Sequence, residues 1–237
     1  MFRMKNKLNN LYNANKEVKF ALVGAGKMGK GLVNQLSRIK GLTSSVVIDE
    51  KPEKAMEALI SSGVRKSDIT TSDNIKIIEN SIKNGMYVVS DDYSIACKLP
   101  DIKGVVDATG NPPFGAILAM EAIENRKHTI MLNVECDAVI GPYLYNLAKK
   151  KNVIYTGSAG DEPGAIMELA DFALGAGFKL LAVGKGKNNP LNYYITEDDV
   201  REEALSKGLY PKMLAGFIDG TNTMIELTSA ANALGFV

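Results

Sequence analysis

Three glycines follow a short apolar run near the start of the chain. The run Val18–Val23 is rich in aliphatic residues, and Gly24, Gly26 and Gly29 come directly after it. Glycines at this spacing, between a strand and a helix, allow a tight turn, close approach of the backbone to a ligand and close helix–strand packing. The helix that follows would direct unpaired N–H groups and the positive end of its dipole at an anion. The segment predicts a βαβ unit that binds the pyrophosphate of a dinucleotide. The alternative is a tight connection without a ligand.

An acidic residue ends the next apolar run. Asp49 lies about 20 residues beyond Gly29, where a carboxylate can accept hydrogen bonds from ribose hydroxyls and repel a 2′-phosphate. This position favours NAD, but Lys51 could neutralise a phosphate, so NADP stays open. The loop after the later run Gly104–Ala108 is predicted to meet the nicotinamide ribose. The residues predicted to bind the cofactor are Gly24, Gly26, Lys27, Met28, Gly29, Asp49, Thr109, Gly110 and Asn111.

The next apolar run, residues 129–132, also ends in polar residues. Asn133 and Glu135 are predicted to belong to the site, because strand-end loops at this edge of an α/β sheet face the ligand. Asp137 immediately precedes a helical run and is predicted to be the N-cap of that helix.

Adjacent carboxylates occur in a glycine-rich loop at residues 157–164. Asp161 and Glu162 precede a proline and could simply form the acidic start of a helix. Together with Glu135 they could instead ligate magnesium or manganese, which prefer oxygen ligands. The sequence leaves both interpretations open.

Two lysines alternate with glycines at residues 184–187. Lys185 and Lys187, followed by Asn188 and Asn189, are predicted to surround an anionic substrate, the alternative being a solvated basic turn. His128, the only histidine, is predicted to lie at the surface. General acid–base catalysis would therefore fall to a lysine or a carboxylate.

The elements that must position these residues alternate as in an α/β protein. Strands are predicted at 18–24, 45–49, 86–89, 104–108, 129–132 and 152–156, and helices at 27–39, 52–62, 73–84, 91–97, 113–126 and 139–150. Residues 1–16 are predicted to form a leading helix. We predict a doubly wound parallel Rossmann sheet over 17–157, followed at 158–237 by part of an α+β catalytic domain. That part is predicted to contain helices at 163–177 and 197–207, a short strand at 180–183 and a last helix from about Leu214.

Composition narrows the classes of partner. The 237 residues carry a formal net charge of +1, which gives no electrostatic case for nucleic acid or a membrane surface. Cys97 and Cys136 lack metal-site spacing and are predicted to be reduced thiols of a cytoplasmic protein. No apolar run approaches the length of a membrane span, and residues 1–16 lack the apolar core of a signal peptide.

Four segments together resemble one oxidoreductase family: residues 133–137, 160–164, 184–190 and 216–224. The chain from residue 17 onward is similar to the 1-deoxy-D-xylulose 5-phosphate reductoisomerase-like family, which is distantly related to homoserine dehydrogenases. Members typically contain a Rossmann domain, a catalytic domain and a C-terminal SAF-type β module. The resemblance implies that this chain corresponds to the front half, without the end of the catalytic domain and the SAF module.

The resemblance implies NAD(P)-dependent hydride transfer at a carbonyl or hydroxyl carbon of a small, anionic, polyol-like substrate, with a coupled isomerisation and a divalent cation in the best-known activity. The residues expected to carry this chemistry are Lys185, Lys187, Glu135 and Asn133, with Glu135, Asp161 and Glu162 as metal ligands. Homoserine dehydrogenases carry Asn where this chain has Asp219 and Lys where it has Val134, which argues against their activity. A non-catalytic sensor of NAD(H) and an inactive, cofactor-binding fragment are the alternatives. The oligomeric state, including a homo-oligomer, stays open.

Overall fold

The computed structural model describes residues 3–187 and 189–236. The chain divides into two compact units. The first comprises Met1–Cys136 and Pro142–Thr156, and the second comprises Asp137–Gly141 and Gly157–Val237. In the two described ranges, no helix combines the length and the apolarity needed to cross a bilayer.

The first unit is built on a seven-stranded sheet. Its strands are β1 (Val18–Val23), β2 (Leu42–Ile48), β3 (Ile69–Thr71), β4 (Tyr87–Ser90), β5 (Gly104–Asp107), β6 (His128–Met131) and β7 (Tyr155–Gly157). The spatial order is β3-β4-β2-β1-β5-β6-β7, and the pairs from β3 to β6 are parallel. Strand order therefore reverses at β1, between β2 and β5. The predicted doubly wound α/β fold is confirmed.

Helices cover both faces of this sheet. They are α1 (Met4–Asn13), α2 (Lys27–Leu36), α3 (Pro52–Ser61), α4 (Ile75–Lys83), α5 (Ser94–Lys98), α6 (Pro112–Glu124) and α7 (Val134–Lys151). Successive strand residues point to opposite faces. Accordingly, Val46 and Ile48 join the core under α4, α5 and α6, whereas Val47 joins the core under α2 and α3.

Two elements of the first unit differ most from the sequence prediction. Strand β3 was not predicted, since its three residues, Ile-Thr-Thr, are too few to show a periodicity. Helix α7 begins at Val134 rather than 139, with Asn133 as its N-cap. The predicted cap at Asp137 is wrong, because the chain turns into the helix directly after β6 and Asp137 already lies inside it.

The second unit is mainly helical. It contains α8 (Glu162–Gly175), a short helix α9 (Arg201–Ser206), α10 (Pro211–Asp219) and α11 (Thr221–Leu234). The strand predicted at 180–183 is wrong: residues 178–187 are described without any strand, and Leu181 is 85% exposed. An apolar run becomes a strand only where another strand supplies hydrogen-bond partners, and β propensity alone does not provide them.

Candidate functional site

The glycine turn after β1 is fixed by two of its three glycines. Gly24 has a φ of +98°, and a β carbon there would lie 2.6 Å from the Ala108 carbonyl. A β carbon at Gly29 would lie 1.9 Å from the Gly24 carbonyl oxygen. Both positions therefore exclude any larger residue for reasons internal to the fold.

The third glycine has a different environment. Gly26 is the N-cap of α2, is exposed, and has no atom within 4 Å of the position a β carbon would take. Lys27 and Met28, in the first turn of α2, are also exposed. The helix therefore begins at an open surface, where its first N–H groups can meet an anion.

The carboxylate predicted to read the ribose is mostly buried. Asp49 is 8% exposed, and its Oδ2 accepts a hydrogen bond of 2.8 Å from the backbone N–H of Ala25. Its Oδ1 accepts one of 3.0 Å from the N–H of Lys51. The structure thus brings Asp49 against the glycine turn, with each carboxylate oxygen bonded to the backbone, and its predicted contact with the ribose stays a prediction.

A second buried aspartate organises the loops after β5 and β6. Asp107 is fully buried. Its Oδ1 accepts from the N–H and the hydroxyl of Thr109 at 2.9 and 2.7 Å, and its Oδ2 accepts from the Asn133 amide at 3.0 Å. Gly115 leaves room for this pair, since a β carbon there would lie 2.3 Å from Asp107 Oδ2. Burial raises the pKa of the Asp107 carboxyl. The hydrogen bonds from Thr109 and Asn133 lower this pKa, but their effect is smaller than that of burial.

The buried Asn133 side chain links Asp107 to the loop before α6 and to the first turn of α7. Its amide also donates to the Asn111 carbonyl at 3.0 Å, and its Oδ1 accepts from the N–H of Cys136 at 3.2 Å. With 1% exposure and these bonds, its side chain suits a positioning role better than the direct contact with substrate that the sequence suggested. Glu135 is half-buried in the first turn of α7, and its carboxylate has no ion pair or hydrogen bond within the described part of the chain.

Thr109, Gly110 and Asn111 form the loop between β5 and α6. Asn111 is the N-cap of α6 and its Oδ1 accepts from the Phe114 N–H at 3.2 Å. Gly110 is exposed and has a φ of +62°. Because parallel strands end at one edge of the sheet, this loop, the glycine turn and Asp49 all lie at the carboxyl edge, beside the strand-order reversal. Ligands of open α/β sheets bind at that position.

The second unit contains a cluster of three carboxylates and a lysine. Carboxylate oxygens of Asp161, Glu162 and Glu226 all lie within 4.8 Å of one another. The Lys185 ammonium is hydrogen-bonded to Glu226 and, at 3.0 Å, to Glu162. Glu226 is buried on α11, and its other oxygen accepts from the Asn222 amide at 2.5 Å. We call these four charged groups the carboxylate–lysine cluster.

Burial and mutual proximity shift the pKa values of this cluster. Burial and then the hydrogen bond with Glu162 raise the pKa of Asp161 to about 6. The hydrogen bond with Asp161, and secondly the hydrogen bond from Lys185, lower the pKa of Glu162 to about 2. Burial alone would lower the pKa of Lys185, but the hydrogen bonds and charges of Glu226 and Glu162 outweigh it, and the pKa is raised. The lysine is therefore a cation held among carboxylates.

Lys187, the second lysine of the loop, is hydrogen-bonded within the second unit. Lys187 donates to the Phe217 carbonyl in the last turn of α10 and to Asn189 Oδ1 at 3.2 Å. Asn188 lies outside the described residues. The second predicted lysine is thus bonded to α10, and the role of this loop in substrate binding stays a prediction. Asp161 is the N-cap of α8 as well as a member of the cluster, so both interpretations of that residue fit the geometry.

Two site residues have weak signals in the sequence. Asp107 is the last residue of an apolar strand, close to the strand-end position of Asp49, and this position could have indicated it. Glu226 lies in a helix whose other residues are uncharged, and only its charge distinguishes it. Glu135 belongs to the first unit and Asp161 and Glu162 to the second, so the predicted metal set stays a prediction.

The fold and the glycine turn define a Rossmann-type α/β protein. Residues 160–237 match the family model described as oxidoreductase DRL, catalytic domain. Over residues 160–237 the family resemblance predicted from the sequence is thereby confirmed, and this segment is similar to the catalytic domain of DRL-type oxidoreductases. No curated protein sequence matches the chain.

Several solved structures have a similar chain path. A probable dehydrogenase from Thermotoga maritima is 15% identical, with a TM-score of 0.49 over 86% of this chain and 55% of that one. An NAD-binding protein from Listeria innocua is 18% identical, with a TM-score of 0.43 over 68% and 41%. A scyllo-inositol dehydrogenase from Lactobacillus casei, solved with NAD(H) and scyllo-inositol, is 16% identical, with a TM-score of 0.45 over 67% and 42%. This chain spans less than half of the latter two proteins.

Proposed function

We propose that the protein is an NAD(P)-dependent oxidoreductase that binds its dinucleotide at the glycine turn of the first unit. The observation that carries this proposal is the open start of α2 at Gly26, between two glycines that the fold itself requires. A turn that served only as a connection would need Gly24 and Gly29 but not Gly26. The exposed glycine is explained by a ligand whose pyrophosphate approaches the backbone there.

The other residues proposed to contact the cofactor lie at the same edge of the sheet. Lys27, Met28 and Gly110 are exposed, and Thr109 and Asn111 are held by the Asp107–Asn133 network. The loop after β5 would therefore meet the nicotinamide half of the dinucleotide as a preorganised surface. Preorganised polar groups bind and orient a ligand without the cost of ordering a flexible loop.

The groups proposed to act on the substrate are the lysines of the second unit and Glu135. Hydride would pass between the nicotinamide and a carbonyl carbon, while the Lys185 ammonium would stabilise the developing oxyanion or transfer a proton to it. Lys187 would help to hold a small, anionic, polyol-like substrate. Asn133 would act by fixing the loop at Asn111.

A divalent cation is a further part of the proposal. Asp161 and Glu162, with Glu135 as a third predicted ligand, offer the hard oxygen atoms that magnesium and manganese prefer. The Lys185 ammonium already bonds to Glu162 and Glu226, so a metal ion would share these carboxylates with it or displace it. A bound cation would supply Lewis-acid polarisation of a substrate oxygen.

The Gly26→Val variant tests the cofactor site. Its side chain fits into open space in the unliganded protein, so thermal stability should change little. The same side chain would occupy the place of the pyrophosphate, and NADH and NADPH affinity should fall by about 100-fold or more. Binding is measured by nicotinamide fluorescence and folding by circular dichroism.

Gly31→Val is the matched control. Gly31 lies on the same helix, is exposed and also has no atom within 4 Å of a β carbon. It should retain dinucleotide affinity. If Gly26→Val bound dinucleotide as tightly as this control, the turn would be a structural connection only, and the cofactor proposal would fail.

The Lys185→Met variant tests the chemical part. Losing a charged contact to the reacting oxygen should lower kcat/KM for a phosphorylated or carboxylated ketose by about 30- to 1000-fold. The NADH dissociation constant should stay within about twofold, because the lysine belongs to the other unit. Lys179→Met, which replaces an exposed lysine six residues earlier in the chain, is the control.

Full turnover in Lys185→Met would remove this lysine from the mechanism. A wild-type protein that binds NADH but turns over no such substrate would instead favour the sensor or the inactive fragment.

A further inference from the structure

We propose that Asp49 is a positioning residue that holds the glycine turn in its binding conformation, and that the exposed pair Glu50 and Lys51 discriminates NAD from NADP. This inference rests on the proposed binding of a dinucleotide at the turn. It changes the role that the motif assigns to Asp49, the residue expected to read the ribose.

The first step is the set of bonds made by the Asp49 carboxylate. One oxygen accepts from the N–H of Ala25 at 2.8 Å and the other from the N–H of Lys51 at 3.0 Å. The residue is 8% exposed, so its charge is compensated mainly by these two backbone groups. A buried carboxylate that lost such donors would be left without solvation, which is costly. Its main structural partner is thus the turn itself.

The second step is the point at which the β ladder stops. The Gly24 N–H donates to the Ile48 carbonyl at 2.7 Å, which extends the pairing of β1 with β2 by one residue. Gly24 then adopts a φ of +98° and directs the chain away from the sheet. The next N–H, that of Ala25, is taken up by the Asp49 side chain rather than by the backbone. Asp49 therefore fixes the residue between the first two glycines, where the backbone must lie close to the pyrophosphate.

The third step concerns the two residues that follow. Glu50 and Lys51 are exposed, and they lie between the end of β2 and the start of α3. A glutamate can accept from the ribose hydroxyls and repels a 2′-phosphate, whereas a lysine attracts that phosphate. Glu50 would thus favour NAD and Lys51 would favour NADP. The preference of the protein for one of these cofactors would depend on this pair and not on the buried Asp49 carboxylate.

Dinucleotide titration of Asp49→Asn separates the two roles. An amide can accept from only one of the two N–H groups and presents a donor to the other. A loosened turn should weaken NADH and NADPH alike, by about tenfold, and leave their affinity ratio unchanged. Asp101→Asn, which makes the same chemical change before β5 at the opposite edge of the sheet, should alter neither affinity.

The flanking pair is tested in the same titration. Lys51→Met should weaken NADPH by about tenfold and leave NADH unchanged, and Glu50→Gln should strengthen NADPH. Lys66→Met removes an equal charge before β3, also at the opposite edge of the sheet, and should change neither affinity. An Asp49→Asn protein that shifted its preference towards NADPH, or that bound both cofactors as the wild type does, would overturn the positioning role. An unchanged ratio in both Lys51→Met and Glu50→Gln would overturn the discriminating role.

Hydrogen exchange at the Ala25 amide gives a readout without a ligand. This N–H should be protected in the wild type and should exchange about tenfold faster in Asp49→Asn, with the core strands unaffected. Equal exchange in the two proteins would contradict the positioning role. If the wild type bound neither NADH nor NADPH, the proposed function would fail, and the exchange experiment would still test the bond. If Asp49→Asn did not fold, the two exposed variants would still test the discrimination.

Discussion

At the scale of single residues, Asp49 and Asp107 are buried aspartates that each hold a loop at the carboxyl edge of the sheet. Asp49 directly follows β2 and holds the glycine turn, and Asp107 is the last residue of β5 and holds Thr109. Each carboxylate accepts hydrogen bonds from the loop that leaves its own or a neighbouring strand. A short, rigid acceptor at a strand end can thus set a loop conformation that glycines alone would leave free.

The titration of Asp107 gives a prediction about stability and pH. Its pKa in the folded protein is raised above the ordinary value of 3.8 by burial. The folded carboxyl therefore keeps its proton to a higher pH than the unfolded one. Its contribution to stability is present below the ordinary pKa and is lost as the pH rises through the raised pKa. The free energy of unfolding of the wild type, relative to Asp107→Asn, should fall as the pH rises above the ordinary pKa of 3.8 and through the raised pKa.

Urea denaturation at a series of pH values measures this difference, with Asp101→Asn as the control at the opposite edge of the sheet. A wild-type advantage over Asp107→Asn that grew with pH would mean that the hydrogen bonds from Thr109 and Asn133 outweigh burial. The sign of the slope decides between the two physical causes.

Residue types and spacing predicted part of the candidate site. The spacing alone located Gly24, Gly26, Gly29 and Asp49, because a turn between a strand and a helix has few solutions. The bonds of Asp49 to Ala25 and of Lys185 to Glu226 could not be predicted. They depend on which residues the fold brings together, and Glu226 is 41 residues from Lys185 in the chain.

At the scale of elements, the strands of the first unit were predicted where apolar runs end in turn residues. β1, β4, β5 and β6 lie within one or two residues of their predicted bounds, because strands buried on both faces read as continuous apolar runs. The segment 180–183 is also a continuous apolar run, but it forms no strand. Local sequence indicates what a segment can form, and a partner decides whether it does.

Helix starts were less predictable than helix positions. α7 begins five residues before its predicted start, because Asn133 and Asp137 are both good caps and only the path of the chain after β6 selects one. The choice matters for function, since it places Glu135 in the first turn of α7 instead of in a loop. A carboxylate at that point is favoured by the helix dipole.

At the scale of the whole molecule, the two units differ in how much apolar core each contains. The two large clusters of the first unit draw all their members from residues 20–132. In the second unit, Val200, Ala204, Leu214 and Ala215 form a small cluster, while Leu169, Phe172 and Phe178 are exposed. Because stability grows with buried apolar area, the first unit should be able to fold by itself.

We therefore expect a fragment of residues 1–157 to fold and to bind NADH. It retains both large clusters, all seven strands and every residue proposed to contact the cofactor. Its affinity for NADH should lie within about threefold of that of the whole chain, as expected for a site independent of the removed part. Cooperative unfolding by circular dichroism and NADH fluorescence are the measurements, and the same fragment with Gly26→Val is the control that should fold without binding. A fragment that unfolded without cooperativity, beside a whole chain that binds NADH, would contradict the division and would mean that the second unit is needed to form the cofactor site.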